Sequence, residues 1–325
     1  MSRKGWLLFA AMCVIWGIPY LLIKVADGSV SVPVVVFSRS ALGALILLPA
    51  ALRSGQFGVL RGYWRPMAAF ATLEILVPWG LLSSAEKQIP SSLAGLLIAA
   101  VPMIGIVVSR LTGGTEVLSP RRWTGLIIGL VGVGVLAAPH LSGSGWPIAE
   151  VLLVAIGYAS APLIAARKLA EVPALPMTTA CLGLATLVYA PAAILSRPDR
   201  MPPGRVLASL AGLGVVCTAC AFLVFLELIR EVGTSRAMVF TYINPAVAVA
   251  AGVALLGEPF TATIAVSFVL ILAGCFLATG AERVHDPAHG RDLIRKIADR
   301  AHRRRLQDVR VGRGVQGRRR CDGRG

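Results

Sequence analysis

Glu74 is the side chain with the sharpest chemical implication in this sequence, because it stands alone near the middle of a long apolar run, residues 66–85. An ionisable group at the centre of a membrane-crossing segment is costly, so such groups mark proton relays, ligand sites or buried ion pairs. Loss of water disfavours the charged form of a carboxyl. A carboxyl at this place can therefore exchange a proton as its surroundings change, which makes Glu74 the candidate for coupling proton movement to the protein's work. The structural alternative is a static ion pair, with Arg39 as the natural partner. Arg39 lies inside the preceding apolar run, 33–52. Its long stem lets the guanidinium snorkel outward or pair inward, and holding an anionic substrate is a weaker reading of it. Glu150, near the start of its own run, is expected to reach the interface. Glu86, Lys87, Glu227, Arg230 and Glu231 read as solvated loop charges.

Other side chains able to bind a small molecule fall at a similar depth. Trp16 occurs in the first apolar run, Trp79 beside Pro78 in the third, Tyr158 near Pro162 in the sixth, and Tyr242 with Asn244 in the ninth. Trp and Tyr usually sit at the membrane interfaces, so aromatic residues at mid-depth favour a cavity lining, with ordinary helix packing as the alternative for each. Pro102 and Pro245 each remove a backbone donor and leave a carbonyl free. Such groups are tolerated inside a bilayer where they are buried in protein or face a wet cavity. Both prolines are candidate hinges. Asn244 can bind a substrate or cap the helix that Pro245 breaks.

The elements that must carry these residues follow from composition. Of the 325 residues, 56% are hydrophobic and only 15% charged, with a mean hydropathy of +0.75, which places the chain in the membrane class. A helix needs about 20 mostly apolar residues to cross the hydrocarbon core. Ten windows qualify: 5–23, 33–52, 66–85, 90–109, 123–139, 146–166, 174–196, 206–226, 237–257 and 259–281. They are continuously apolar, without the period-two alternation of barrel strands, and helices satisfy their own backbone groups in lipid. The expected fold is therefore all-α and integral to the membrane, with ten helices.

Charge placement sets the expected orientation. With the N-terminus in the cytoplasm, twelve Lys and Arg fall on inside segments before the tail and five on outside segments. This bias predicts both termini inside. The loop with Arg197, Arg200 and Arg205 runs against it. Residues 282–325 carry fourteen of the 32 basic residues and read as a disordered cytoplasmic tail, part of it (291–309) able to lie on anionic lipid as a basic amphipathic helix. Membrane lipid is the expected partner of this tail, and nucleic acid is not.

The sequence also repeats itself. IPSSLAGLLIAAVP at Ile89–Pro102 matches VGTSRAMVFTYINP at Val232–Pro245 in a Ser/Thr–Ser entry, an Ala two residues on and a mid-span Pro. Further along, Glu116 and Glu258 recur at the entry to the last helix of each half, where a carboxylate suits the helix dipole as a cap. Two similar halves of an odd number of helices must insert with opposite topology, which is the geometry of alternating access around a midplane site. The halves are taken as 1–141 and 142–281. Within them, CVIWG (Cys13–Gly17) and TYINPAVAVAAGVALLGEPFTATIAVSFVLILAGCFLA (Thr241–Ala278) resemble the opening and closing helices of EamA-type members of the drug/metabolite transporter superfamily. That resemblance covers about residues 5–281. It implies ten helices, a central cavity and export of small metabolites.

Other chemistries find little support. The four histidines, His140, His285, His289 and His302, lie outside every window, and no window contains an Asp. An intramembrane Ser–His dyad, His-based metal site or aspartyl pair is thus unavailable. No G-x-x-x-x-G-K-[ST] phosphate loop occurs, and no cofactor is implied. Cys217 and Cys220 form a C-x-x-C without a second ligand pair and read as small packing residues. Gly125, Gly129, Gly132 and Gly134 offer close backbone approach, within the bundle or at a homodimer face. The expected activity is secondary active transport of amino-acid-like or drug-like molecules, with proton coupling as an option. A lipid-linked or nucleotide-sugar-type translocator, or a membrane scaffold without transport, is the alternative.

Overall fold

Residues 1–113, 119–140 and 145–279 are described by the computed structural model of the protein, apart from the side chains of His140, Thr234, Ser235 and Thr279. Glu116, the basic tail and its histidines lie outside the described residues, as does a second unit, Ala281–Gly325.

The apolar runs all fold as helix, because in lipid each backbone polar group must find its partner within the segment. We number them α1 (Arg3–Asp27), α2 (Val32–Arg53), α3 (Phe57–Glu86), α4 (Ser91–Leu111), α5 (Pro120–Ala137), α6 (Trp146–Lys168), α7 (Ala174–Leu195), α8 (Gly204–Val232), α9 (Asn244–Leu256) and α10 (Ala262–Thr279). No strand occurs among the described residues. Seven of these helices, α1–α4 and α6–α8, are long and apolar enough to cross a bilayer, and α9 and α10 are shorter apolar helices. Large apolar side chains such as Leu45, Leu187, Leu195, Val269 and Phe276 stand exposed on the outer faces. A water-soluble fold would hide them, whereas hydrocarbon accommodates them.

Local sequence explains where the helices begin, end and break. The Ser2 hydroxyl accepts from Gly5 N at 2.9 Å and caps α1. Gly257 ends α9 with φ 67°, a left-handed conformation that costs glycine little. α1 is not the continuous helix its window implied. It breaks at Trp16–Ile18 and restarts at Pro19. α4 breaks after Ile98 and restarts at Val101, with Pro102 in its first turn. α9 follows a short helical turn, Thr234–Ala237, and a tighter one, Met238–Tyr242, with Pro245 in its own first turn. Both prolines thus open new helical segments, where a missing N–H costs nothing.

Five pairings build the bundle, and each joins one helix from either half of the chain: α1 with α8, α2 with α7, α3 with α6, α4 with α9, α5 with α10. Exchanging α1–α5 for α6–α10 maps this set onto itself, since α1–α8 becomes α6–α3 and the other three pairs are self-paired. A second correspondence lies in the third helix of each half, where the backbone widens to π-helix over Thr72–Leu76 in α3 and Gly212–Cys220 in α8. A π-turn frees a carbonyl that an ordinary turn would satisfy. The Tyr189 hydroxyl donates to Leu76 O at 2.7 Å, and the Thr218 hydroxyl to Leu213 O at 2.8 Å.

Three glycines of α5, Gly125, Gly129 and Gly132, are used within the chain. A Cβ at Gly125 would lie 2.5 Å from Ala278 N, and one at Gly132 would lie 2.8 Å from Leu270 Cβ, so both face α10, whereas a Cβ at Gly134 would meet nothing. Glu258 differs from the expected cap. It does not cap its own following helix. Its Oε1 accepts from Ser91 N at 2.7 Å and Ser91 Oγ at 2.9 Å, and its Oε2 accepts from Ser92 N at 2.9 Å. The carboxylate therefore closes the N-terminus of α4, in the other half of the chain. Burial pushes the Glu258 carboxyl up, but the hydrogen bonds from Ser91 and Ser92 outweigh it and hold the group below its ordinary value of 4.5.

Candidate functional site

Three charged residues are buried, two of them, Glu86 and Glu150, against expectation. Arg39 is 7% exposed, Glu86 0% and Glu150 4%. The sequence reading of Glu86 as a solvated loop charge and of Glu150 as an interfacial one is therefore corrected. Glu86 is the last residue of α3, and it turns inward under the loop to α4. Both of its carboxylate oxygens lack a hydrogen-bond partner, and Lys24 Nζ donates to the Glu86 and Ile89 carbonyls. Glu150 accepts from the Ser84 hydroxyl at 2.9 Å, because α3 packs along α6.

Arg39 does not snorkel. α2 is packed on two sides, by α7 and by the π-helical part of α8, so the side chain turns into the bundle. Its Cζ sits 3.8 Å from the centroid of the Trp79 ring, a stacking geometry that suits a guanidinium. Its Nε donates to Thr218 Oγ1 at 3.1 Å. Tyr158, on α6, packs beside Trp79 and lies within electrostatic reach of both Arg39 and Glu74. Tyr20, on the second segment of α1, is within the same reach of Arg39 and Tyr158.

Glu74 occupies the π-turn of α3. Its Oε2 is buried without a hydrogen-bond partner. Among the described residues it makes no ion pair with Arg39, which stacks on Trp79 instead.

Trp16 and Asn244 gather beside this group. Trp16, at the break of α1, packs against Phe222, Phe225 and Phe240 at centroid separations of 5.2–6.0 Å. Its Nε1 donates to Cys217 O at 3.3 Å. The Asn244 amide, turned so that its nitrogen faces acceptors, donates to Phe240 O at 3.1 Å and to Cys13 O at 3.2 Å. It thus caps the broken approach to α9 and ties it to the break in α1. Cys217 and Thr218 are adjacent on α8, so the α8 π-segment carries the Trp16 group on one residue and the Arg39 group on the next. Tyr242 packs against the cluster that contains Tyr20, Leu97 and Ala248.

The predicted residues fall in separate groups along the seam where the halves meet: Trp79 and Tyr158 beside Arg39, Trp16 and Asn244 where α1, α8 and α9 converge, and Tyr242 against the Tyr20 cluster. A cleft of 540 Å³ lies elsewhere, lined by Val32, Thr72, Leu76, Val77, Gly80, Leu81, Val188 and Tyr189, and none of the predicted site residues lines it. Sequence reasoning missed Tyr20 and Thr218. A Thr in an apolar helix carries no signal of its own, since its hydroxyl can be satisfied by its own helix, and only the facing arginine gives Thr218 a further role.

Two matching sets of apolar helices, with polar and charged side chains buried between them, define a multi-pass membrane protein. The comparisons agree with that class. The profile of the EamA-like transporter family matches residues 3–138 and again 145–280, and the chain belongs to that family. It is 30% identical over 262 residues to YedA of Escherichia coli K12, described as an uncharacterized inner membrane transporter, covering 76% of this chain and 81% of that one. An uncharacterized transporter of Archaeoglobus fulgidus is 24% identical over 279 residues, 84% of this chain and 98% of that one. A solved crystal structure superposes with a TM-score of 0.63 at 21% identity, covering 87% of this chain and all of the other, and supports the fold alone. The protein is a membrane transporter.

Proposed function

We propose that the chain crosses the inner membrane ten times with both termini in the cytoplasm, and that it exports small amino-acid-like or drug-like metabolites by alternating access. The two halves act as inverted repeats, and the seam around Arg39, Glu74, Trp79 and Tyr158 is where cargo rests. Trp16, Tyr242 and Asn244 complete its lining on the α1–α9 side.

One observation carries this reading. Helices of both halves leave regular geometry at matching places: the π-turns of α3 and α8, and the breaks before Pro102 and Pro245. π-turns recur at functional sites, and discontinuous helices at a repeat interface are the usual material of a midplane carrier site. Pro102 and Pro245 serve as the hinges. Glu74, half-buried with one carboxylate oxygen enclosed and without an ion-pair partner among the described residues, takes up a proton in one state and releases it in the other, which couples export to the proton gradient.

The test is exchange by purified protein in vesicles. Radiolabelled amino acids and related metabolites should exchange saturably, and a pH gradient should change the direction of net flux. The variant Glu74→Gln should keep exchange at equilibrium and lose the response to the gradient. Gradient-driven flux through Glu74→Gln at the wild-type rate would remove the coupling role. Absence of saturable exchange for every cargo tested would remove the carrier reading.

A further inference from the structure

We propose that Arg39 is the receptor for an anionic group of the cargo, so that what the protein carries is a small organic anion bound through its carboxylate at the seam of the two halves. This rests on the carrier reading above and assigns the chemistry of its site.

A charge removed from water must be paired or solvated by dipoles, or it destabilises the fold. Arg39 is buried, yet among the described residues it has no carboxylate within ion-pair distance, and the hydrogen bond it makes is the one from Nε to Thr218. Tyr158, Tyr20 and the Cys217 thiol face it, and Glu86 acts on it more weakly than these. The Trp79 face below it supplies cation–π attraction but no hydrogen-bond acceptor. The guanidinium thus has one edge engaged and its outer pair of nitrogens left for a ligand. That pair is the fork that matches a carboxylate in a bidentate fashion.

The surroundings define the rest of the ligand. Trp79, Tyr20 and Tyr158 offer aromatic surface, which suits an organic body over a hydrated inorganic ion. The brace comes from the other half of the chain. Arg39 belongs to α2 and Thr218 to the π-segment of α8, so an anion seated on the guanidinium bears on the contact between the halves. Trp16, held by the carbonyl of the neighbouring Cys217, would feel any shift of that segment. Binding at Arg39 is in this way linked to the elements expected to move.

The experiment compares compounds released by cells producing the full-length wild-type protein, its variants, or none. Compounds enriched by the wild type should carry a carboxylate. Arg39→Gln should lower their release by about 100-fold, the loss expected for two charge-assisted hydrogen bonds. Arg39→Lys keeps the charge without the fork and should raise the half-saturating concentration about tenfold while leaving maximal flux nearer wild type. Thr218→Val should fall between wild type and Arg39→Lys. Each variant is scored only at a wild-type melting temperature in detergent, and Arg39→Lys and Thr218→Val stand in if Arg39→Gln fails to fold. Enriched compounds without an anionic group would overturn the assignment while leaving the carrier intact, as would carboxylate release unchanged in a folded Arg39 variant. No compound enriched by the wild type would overturn the carrier reading and this assignment with it.

Discussion

The seam between α5 and α10 gives the most direct test of how this bundle is held together. Between lipid-facing helices there is no hydrophobic driving force, since hydrocarbon is as apolar as leucine, and association rests on close contact. Gly125 supplies that contact. A Cβ there would lie 2.5 Å from Ala278 N, 2.8 Å from Gly274 O and 2.9 Å from Leu277 C. All three are backbone atoms, so no rotamer change relieves the clash, and α10 must move away by about 1 Å to restore ordinary separation near 3.5 Å. A gap of that size forfeits roughly a quarter to a half of each dispersion contact along the seam. Together with the strain of overpacking, Gly125→Ala should destabilise the protein by roughly 1–3 kcal/mol. Gly134→Ala is the matched control, because its Cβ would meet nothing within 4 Å. The assay is the midpoint of thermal unfolding in detergent, read as the fraction remaining monodisperse. Gly125→Ala should melt several degrees below wild type and Gly134→Ala at or above it. Equal melting of the two variants would refute the seam as the source of stability.

Two further outcomes follow from the same structure. Glu258 is held below its ordinary value of 4.5 in the folded protein, so its contribution is present above the unfolded value and lost as pH falls through the folded one. Melting temperature should therefore drop on acidification below about pH 4.5, the usual range for a carboxyl, and Glu258→Gln, already destabilised at pH 7, should drop less, as a pH series of melts on both proteins would reveal. In a variant with its native cysteines replaced, single cysteines at Lys4 and Arg318 should both react with an impermeant thiol reagent only after the cytoplasmic side is opened, and labelling from opposite sides would contradict the proposed orientation.

The helices were legible in the sequence because lipid makes secondary structure nearly obligatory wherever about 20 apolar residues run together. The register of their faces was not. Glu86 and Glu150 lie near the ends of apolar runs, where hydropathy alone predicts water. Whether such a residue meets solvent depends on which way a few turns of helix point, and here α3 turns Glu86 under the α3–α4 loop and Ser84 toward Glu150. The break at Trp16 was equally hidden, since the residues on either side are apolar and Pro19 occurs only after it. Glu74 was visible as an isolated charge, but the π-turn that presents it was not, because π-geometry depends on a neighbour such as Tyr189 to satisfy the freed carbonyl.

The repeat explains why the frame was easier to read than the site. In the register that aligns Pro102 with Pro245, Glu74 corresponds to Cys217, Arg39 to Leu182 and Trp79 to Phe222. The backbone keeps the symmetry, with π-turns at the matching places, while the chemistry does not. A twofold copy of Arg39 would bury a second guanidinium in the same seam, and two like charges at low dielectric repel more strongly than in water. An apolar Leu182, fully buried, avoids that cost and leaves a single guanidinium there. In the proposed carrier the symmetric frame supplies the motion, and the departures from symmetry, Arg39 and Glu74 above all, supply the chemistry of the site.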